Sequence, residues 1–134
     1  MLTLNTLHPV LVYLIYIASS FALLGLFVVI YIHITPYPEL TLIRSGNLAA
    51  ALSLGGATLG FSLTLSSSIQ HNSTFDLFLL WALGALAVQV AAYLVMVKTL
   101  HNVKQAITED NRAMGALMGT ISLAVGMINA ACLS

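Results

Sequence analysis

The stretch NLAAALSLGGATLGFSLTL (residues 47–65) decides the fold, because it recurs in outline 64 residues later as NRAMGALMGTISLAVGMINAACL (residues 111–133). Each copy opens on an asparagine and continues into an apolar run rich in Gly, Ala, Ser and Thr. In that register Asn47 falls on Asn111, Ala49 on Ala113, Gly55 on Gly119 and Leu59 on Leu123, while the bulkier segment 10–32 falls within one residue of 75–97. Helix order, loop placement and asparagine-to-glycine spacing repeat together, as a tandem duplication of a two-helix unit predicts. The expected repeats cover about 8–70 and about 72–134 of a single transmembrane domain, 1–134.

Composition fixes the class. Of 134 residues, 60% are hydrophobic and 6% charged, and the mean hydropathy is +1.01. A soluble domain carries about 25% charged residues, so this chain lacks the polar side chains to cover a water-facing surface. Four runs reach the length of about 20 residues that crosses a bilayer: 10–32, 47–65, 75–97 and 112–133. An all-α integral membrane protein with four transmembrane helices follows. The segment before the first span lacks Lys and Arg, and the span exceeds a signal peptide's apolar core, so a retained helix is expected.

All four basic residues lie beside two loops: Arg44 between spans one and two, and Lys98, Lys104 and Arg112 around the connection of spans three and four. Cytoplasmic retention of Lys and Arg predicts these loops inside, with both termini and loop 66–74 outside, in the periplasm. Two spans per repeat is an even number, so the repeats share one orientation, about a pseudo-two-fold axis along the membrane normal. Tyr13, Tyr16, Phe75, Phe78 and Trp81 mark the outer ends of the spans, and Tyr31, Tyr37 and Tyr93 the inner ones, as interfacial belts would.

Spans one and three are bulky and suit lipid; spans two and four are small and suit close backbone approach. At 100° per residue, Asn111, Gly115, Gly119, Ser122, Gly126 and Asn129 fall on one stripe of span four. Asn47, Ala51, Gly55, Thr58 and Ser62 trace the matching stripe of span two. Roughly opposite lie second small faces: Ala49, Ser53, Gly56 and Gly60 on span two, and Ala113, Ala116, Thr120 and Ala124 on span four. Helices small on two sides are packed on two sides, and four helices offer few internal partners, so a homo-oligomer is expected. The Gly56–Gly60 and Gly115–Gly119 spacings serve equally as contacts within one chain. Asn47 and Asn111 either cap their helices or ring the mouth of a pathway.

Chemistry is sparse. No acid or base is expected within a span away from its ends, which argues against a proton relay or ion-coupled carrier. Gln89 is the one strongly polar side chain near mid-depth and is expected to bond a neighbouring helix. His8, His33, His71 and His101 lie at membrane edges without metal-ligand spacing, and Cys132 is alone. Asn72-Ser73-Thr74 matches a glycosylation sequon, too short a pattern to carry weight. No phosphate loop, nucleophile elbow or nucleic-acid face is present. The expectation is no enzyme, no cofactor, no metal and no nucleic acid, with membrane lipid, further copies of the chain and a cytoplasmic protein at the basic loops as partners.

The stretches ITPYPELTLIRSGNLAAALSLGGATLGFSLTLSSSI (34–69) and ITEDNRAMGALMGTISLAVGMINAACLS (107–134), with Ile-Thr-Pro, Asn-Leu-Ala-Ala and Asn-Ala-Ala-Cys in combination, resemble the domain-of-unknown-function 350 family (UPF0719), which includes the YjfL-like small bacterial inner membrane proteins. The similarity runs over nearly the whole chain. It implies a four-helix bacterial inner-membrane protein, often encoded near envelope-stress or phage-shock-like proteins, and brings no substrate, cofactor or catalytic residue. Two functions remain: an oligomeric structural or partner-binding component, and an oligomeric conduit for a small ion or solute.

Overall fold

The computed structural model describes residues 4–133; the first three residues and Ser134, included in the expected repeats and chain-end placement, lie outside the described residues. The described residues form helices and turns only. Four long helices, α1 (Pro9–Ile34), α3 (Leu48–His71), α4 (Phe75–Thr99) and α6 (Arg112–Cys132), are each long and apolar enough to cross a membrane. At 1.5 Å per residue even the shortest, of 21 residues, spans the hydrocarbon core of about 30 Å. Two short helices precede α3 and α6: α2 (Glu39–Arg44) and α5 (Val103–Thr108).

The starts follow from local chemistry. Pro9 supplies the fixed φ of a first helical position, and the His8 imidazole accepts the Val10 N–H at 3.3 Å. Asn47 accepts the Ala50 N–H at 2.9 Å and Asn111 that of Met114 at 3.2 Å. The same turn precedes both caps. Gly46 (φ +91°) and Asp110 (φ +57°) occupy the left-handed region, and the Asn47 and Asn111 N–H groups reach back to Leu42 at 2.9 Å and Ala106 at 2.8 Å.

Two boundaries differ from the sequence expectation. Helix α3 runs to His71, so the expected loop 66–74 shrinks to the three residues after it. Polar side chains bonding one turn back extend the helix: the Gln70 amide donates to the Ser66 carbonyl at 3.2 Å and the Asn72 amide to that of Ser68 at 2.8 Å. The short helices α2 and α5 fill what reads as loop.

Helix α3 touches α1, α4 and α6, and lies parallel to α6. Between α1, α3 and α4 the interior is aromatic: Phe27 stacks on Phe61 at 4.8 Å, Tyr31 meets Tyr93 at 4.7 Å, and Tyr16 meets Phe75 edge-on at 5.4 Å. Such pairs add about 0.5–1.5 kcal/mol each beyond their burial. The outward surface is itself apolar, with Phe21, Leu80, Val95 and Ile128 exposed.

Candidate functional site

Three features carry the polar chemistry. The first is the α3–α6 seam. A Cβ placed on Gly115 would strike the Ala49 backbone, one on Gly56 that of Gly119, one on Gly119 the Leu52 carbonyl and one on Gly126 the Gly60 backbone. The two helices therefore meet backbone to backbone along their length, which only glycine-like positions allow. Thr64 and Ser67 extend the contact, donating to the carbonyls of Gly126 at 3.3 Å and Ala130 at 2.6 Å. Ser122 is buried, and its carbonyl accepts the Gln89 amide at 2.9 Å, as expected of Gln89. Asn129 donates to the Ala85 carbonyl at 3.3 Å, tying α6 to α4.

The seam joins unlike faces. Helix α6 contributes the stripe Gly115, Gly119, Ser122 and Gly126, whereas α3 contributes Ala49, Gly56 and Gly60, its second small face. The counterparts stay open: Gly55 has free space where a Cβ would stand, and Ala113, Ala116, Thr120 and Ala124 are all exposed. A groove of about 310 Å³ runs between them, lined by Ala51, Gly55, Leu59, Ala116 and Thr120.

The second feature clamps the basic-loop end. Besides capping α3, buried Asn47 donates its amide to the Ile107 carbonyl at 2.7 Å. Asp110 accepts the Ala49 N–H at 2.9 Å and meets Arg112 at 3.5 Å. The Ala49 N–H first, and the Arg112 guanidinium beside it, hold the Asp110 carboxyl below the usual range. Asn111 is exposed and caps α6 alone. The two asparagines thus occupy different surroundings, and the Asn47 side chain is committed to the protein on both sides.

The third feature departs from the sequence expectation. Tyr31, Tyr37 and Tyr93 do not form an interfacial belt; they are buried, and they close over Glu39, which is 2% exposed. The chain leaves α1 through Thr35, Pro36, Tyr37 and Pro38 and folds back, so the first residue of α2 points into the bundle. Tyr31 shares a hydrogen bond of 2.8 Å with Ser53. Both Glu39 carboxylate oxygens and the hydroxyls of Tyr37 and Tyr93 are buried without a hydrogen-bond partner. Burial pushes the Glu39 carboxyl up to about 7. The adjacent Thr35 hydroxyl, which would oppose that shift, donates to the carbonyls of Ile32 at 3.0 Å and Tyr37 at 3.3 Å. Tyr37 is raised to about 12, by burial and then by the charge of Glu39.

Four apolar helices, a glycine seam and a turn repeated 64 residues apart are the features to set beside known proteins. The model of the family described as Domain of Unknown Function (DUF350) matches residues 3–133. The chain belongs to this family. It is 32% identical over 130 residues to the UPF0719 inner membrane protein YjfL of Escherichia coli (strain K12), covering 97% of this chain and 98% of that one. It is 29% identical over 119 residues to the UPF0719 transmembrane protein YshE of Bacillus subtilis (strain 168), covering 87% and 88%. No solved structure matches. The DUF350 chain is thus an all-helical inner-membrane protein with four membrane-spanning helices, as the sequence led one to expect.

Proposed function

We propose that this DUF350 protein is a non-enzymatic structural component of the inner membrane, built from a tandem two-helix repeat, that assembles with copies of itself through parallel α3–α6 contacts. The observation that carries this reading is the unlike-face seam. Within the chain, the second face of α3 receives the first face of α6. The first face of α3, at Ala51 and Gly55, and the second face of α6, at Ala113, Ala116, Thr120 and Ala124, are left to repeat the same parallel contact between chains. Because both open faces line one groove, the contact can be made twice about a two-fold axis or passed from protomer to protomer around a ring. The exposed Arg44, Lys98 and Lys104 form a cationic rim for a cytoplasmic partner, in the envelope-stress setting that the family resemblance implies.

A conduit is the alternative, and it would have to run between protomers, because the seam's facing backbones leave no lumen along Gly56, Gly60, Gly119 and Gly126. The test is oligomeric state. Native mass spectrometry in lipid nanodiscs should find oligomers of the wild type, and Gly55→Leu, Ala116→Leu or Thr120→Leu should shift them to monomers without unfolding. Monomers alone for the wild type across detergents and nanodiscs, or oligomers indifferent to all three changes, would overturn the assembly. Proteoliposome flux for small ions in wild-type oligomers would favour the conduit over the structural reading.

A further inference from the structure

We propose that Glu39, Tyr37 and Tyr93 bind one monovalent metal cation, sodium or potassium, inside the bundle at its basic-loop end. Four buried oxygens there make no hydrogen bond, both carboxylate oxygens of Glu39 and the hydroxyl oxygens of Tyr37 and Tyr93, although the two hydroxyls lie near each other and Thr35 lies near the carboxylate. The three tyrosine hydroxyls and the carboxylate lie close enough to interact electrostatically. Buried charge is kept in proteins when it is paired, and buried polar atoms when they are bonded. The groups facing Glu39 supply neither: α1 presents Tyr31, the loop Tyr37 and Thr35, α3 Ser53 and α4 Tyr93, while Arg44, His33 and Lys98 are exposed.

The donor set defines the ligand. Carboxylate and phenol oxygens are hard donors that suit alkali and alkaline-earth ions. One carboxylate balances one positive charge, whereas sites for divalent ions gather several carboxylates.

Packing alone does not call for the carboxylate. Val103, 64 residues on, stands in the same place at the start of α5 and is equally buried, at 3% exposure. An apolar side chain therefore suffices to dock a short helix at this end of the bundle. A buried, unbonded acid in the matching position of α2 is an addition to the packing, and it answers to a ligand.

The test is cation-specific stability of the purified full chain in detergent. At about pH 8, above the raised Glu39 range, melting is measured in the chlorides of sodium, potassium and N-methylglucamine at equal ionic strength. A saturable rise in Tm with sodium or potassium is expected, about 5 °C at tenfold excess over Kd. It should vanish in Glu39→Gln and weaken in Tyr93→Phe. Should Glu39→Gln fail to fold, Tyr37→Phe with the wild-type titration decides. A Tm indifferent to which cation is present overturns the proposal. So does a stability that follows pH identically in all three salts, because Glu39 then carries only a proton.

Discussion

Gly60→Ala adds a single methyl group where the seam has no room. The new Cβ would stand 2.6 Å from the Ser122 carbonyl oxygen, 3.1 Å from Gln89 Nε2 and 3.3 Å from Leu123 Cα. Ordinary contact begins at 3.4 Å, so one backbone must retreat by about 0.8 Å. Two other helices hold α6 in place, so the retreat is resisted. Overpacking of this kind costs about 1–3 kcal/mol. The retreat also strains the Gln89–Ser122 hydrogen bond of 2.9 Å, worth about 1 kcal/mol, in an amide whose oxygen is already without a partner. Against these, replacing glycine by alanine within a helix returns about 0.5–1 kcal/mol. The net expectation is a loss of about 2 kcal/mol. Gly55→Ala is the control, one turn away on the same helix: its Cβ meets open space, so only the helical gain of about 0.5–1 kcal/mol applies. Thermal and SDS unfolding of the detergent-solubilised protein, followed by far-ultraviolet circular dichroism, should separate the two variants by about 3 kcal/mol in sum. Equal stability of Gly60→Ala and Gly55→Ala would refute the backbone-contact account of the seam.

Asn47→Ala removes a cap and the bond to Ile107 and should cost about 2 kcal/mol, against about 1 for Asn111→Ala, which loses a cap alone; equal losses by chemical denaturation would show that the Ile107 bond contributes nothing. Asn47→Asp keeps the capping oxygen but loses the donor to Ile107, so its stability should fall between wild type and Asn47→Ala. For topology, with the exposed native Cys132 first replaced (Cys132→Ser), an impermeant thiol reagent on intact cells should label Asn72→Cys and spare Gln105→Cys; the reverse pattern would invert the orientation expected from Arg44, Lys98, Lys104 and Arg112.

The four spans were legible because hydropathy sums along a helix and needs no knowledge of neighbours. The small-residue stripes were legible for a similar reason, since the 3.6-residue period shows which side chains share a face. What opposes a face is a different matter. Of the Asn111-to-Asn129 stripe of α6, Gly115, Gly119 and Gly126 meet the Ala49–Gly56–Gly60 face of α3 and not the matching Asn47 stripe, while Asn129 turns to α4 and Asn111 stays exposed, a choice made by tertiary packing. The three tyrosines show the same division: their depth could be read, their direction could not. One signal was available, because Leu23, Phe27 and Tyr31 are spaced by four and mark a single buried stripe of α1. Glu39 carries no such signal, because Pro36 and Pro38 read as a loop and loops are ordinarily exposed; only the fold shows that the turn returns its acid to the interior.

The unlike-face seam also constrains how the molecule can be completed. Two parallel copies related by a two-fold axis along the membrane normal use the same patch twice, each residue meeting its complement in both directions. Here the α3–α6 contact joins the second face of one helix to the first face of the other, and the two open faces, at Ala51 and Gly55 of α3 and at Ala116 and Thr120 of α6, line one groove on the same side of the pair. One two-fold contact across that groove sets α3 of each protomer against α6 of the other and covers both faces. A larger ring covers them as well, because each protomer then offers α6 to its neighbour's α3 through the same parallel geometry. The alternative is that lipid covers Ala113, Ala116, Thr120 and Ala124. In that case bulky residues would pack against acyl chains at least as well as these small ones. Ala116→Leu therefore divides the two arrangements: against lipid it should be neutral, and against a neighbouring helix it should break the assembly while the isolated bundle keeps its stability.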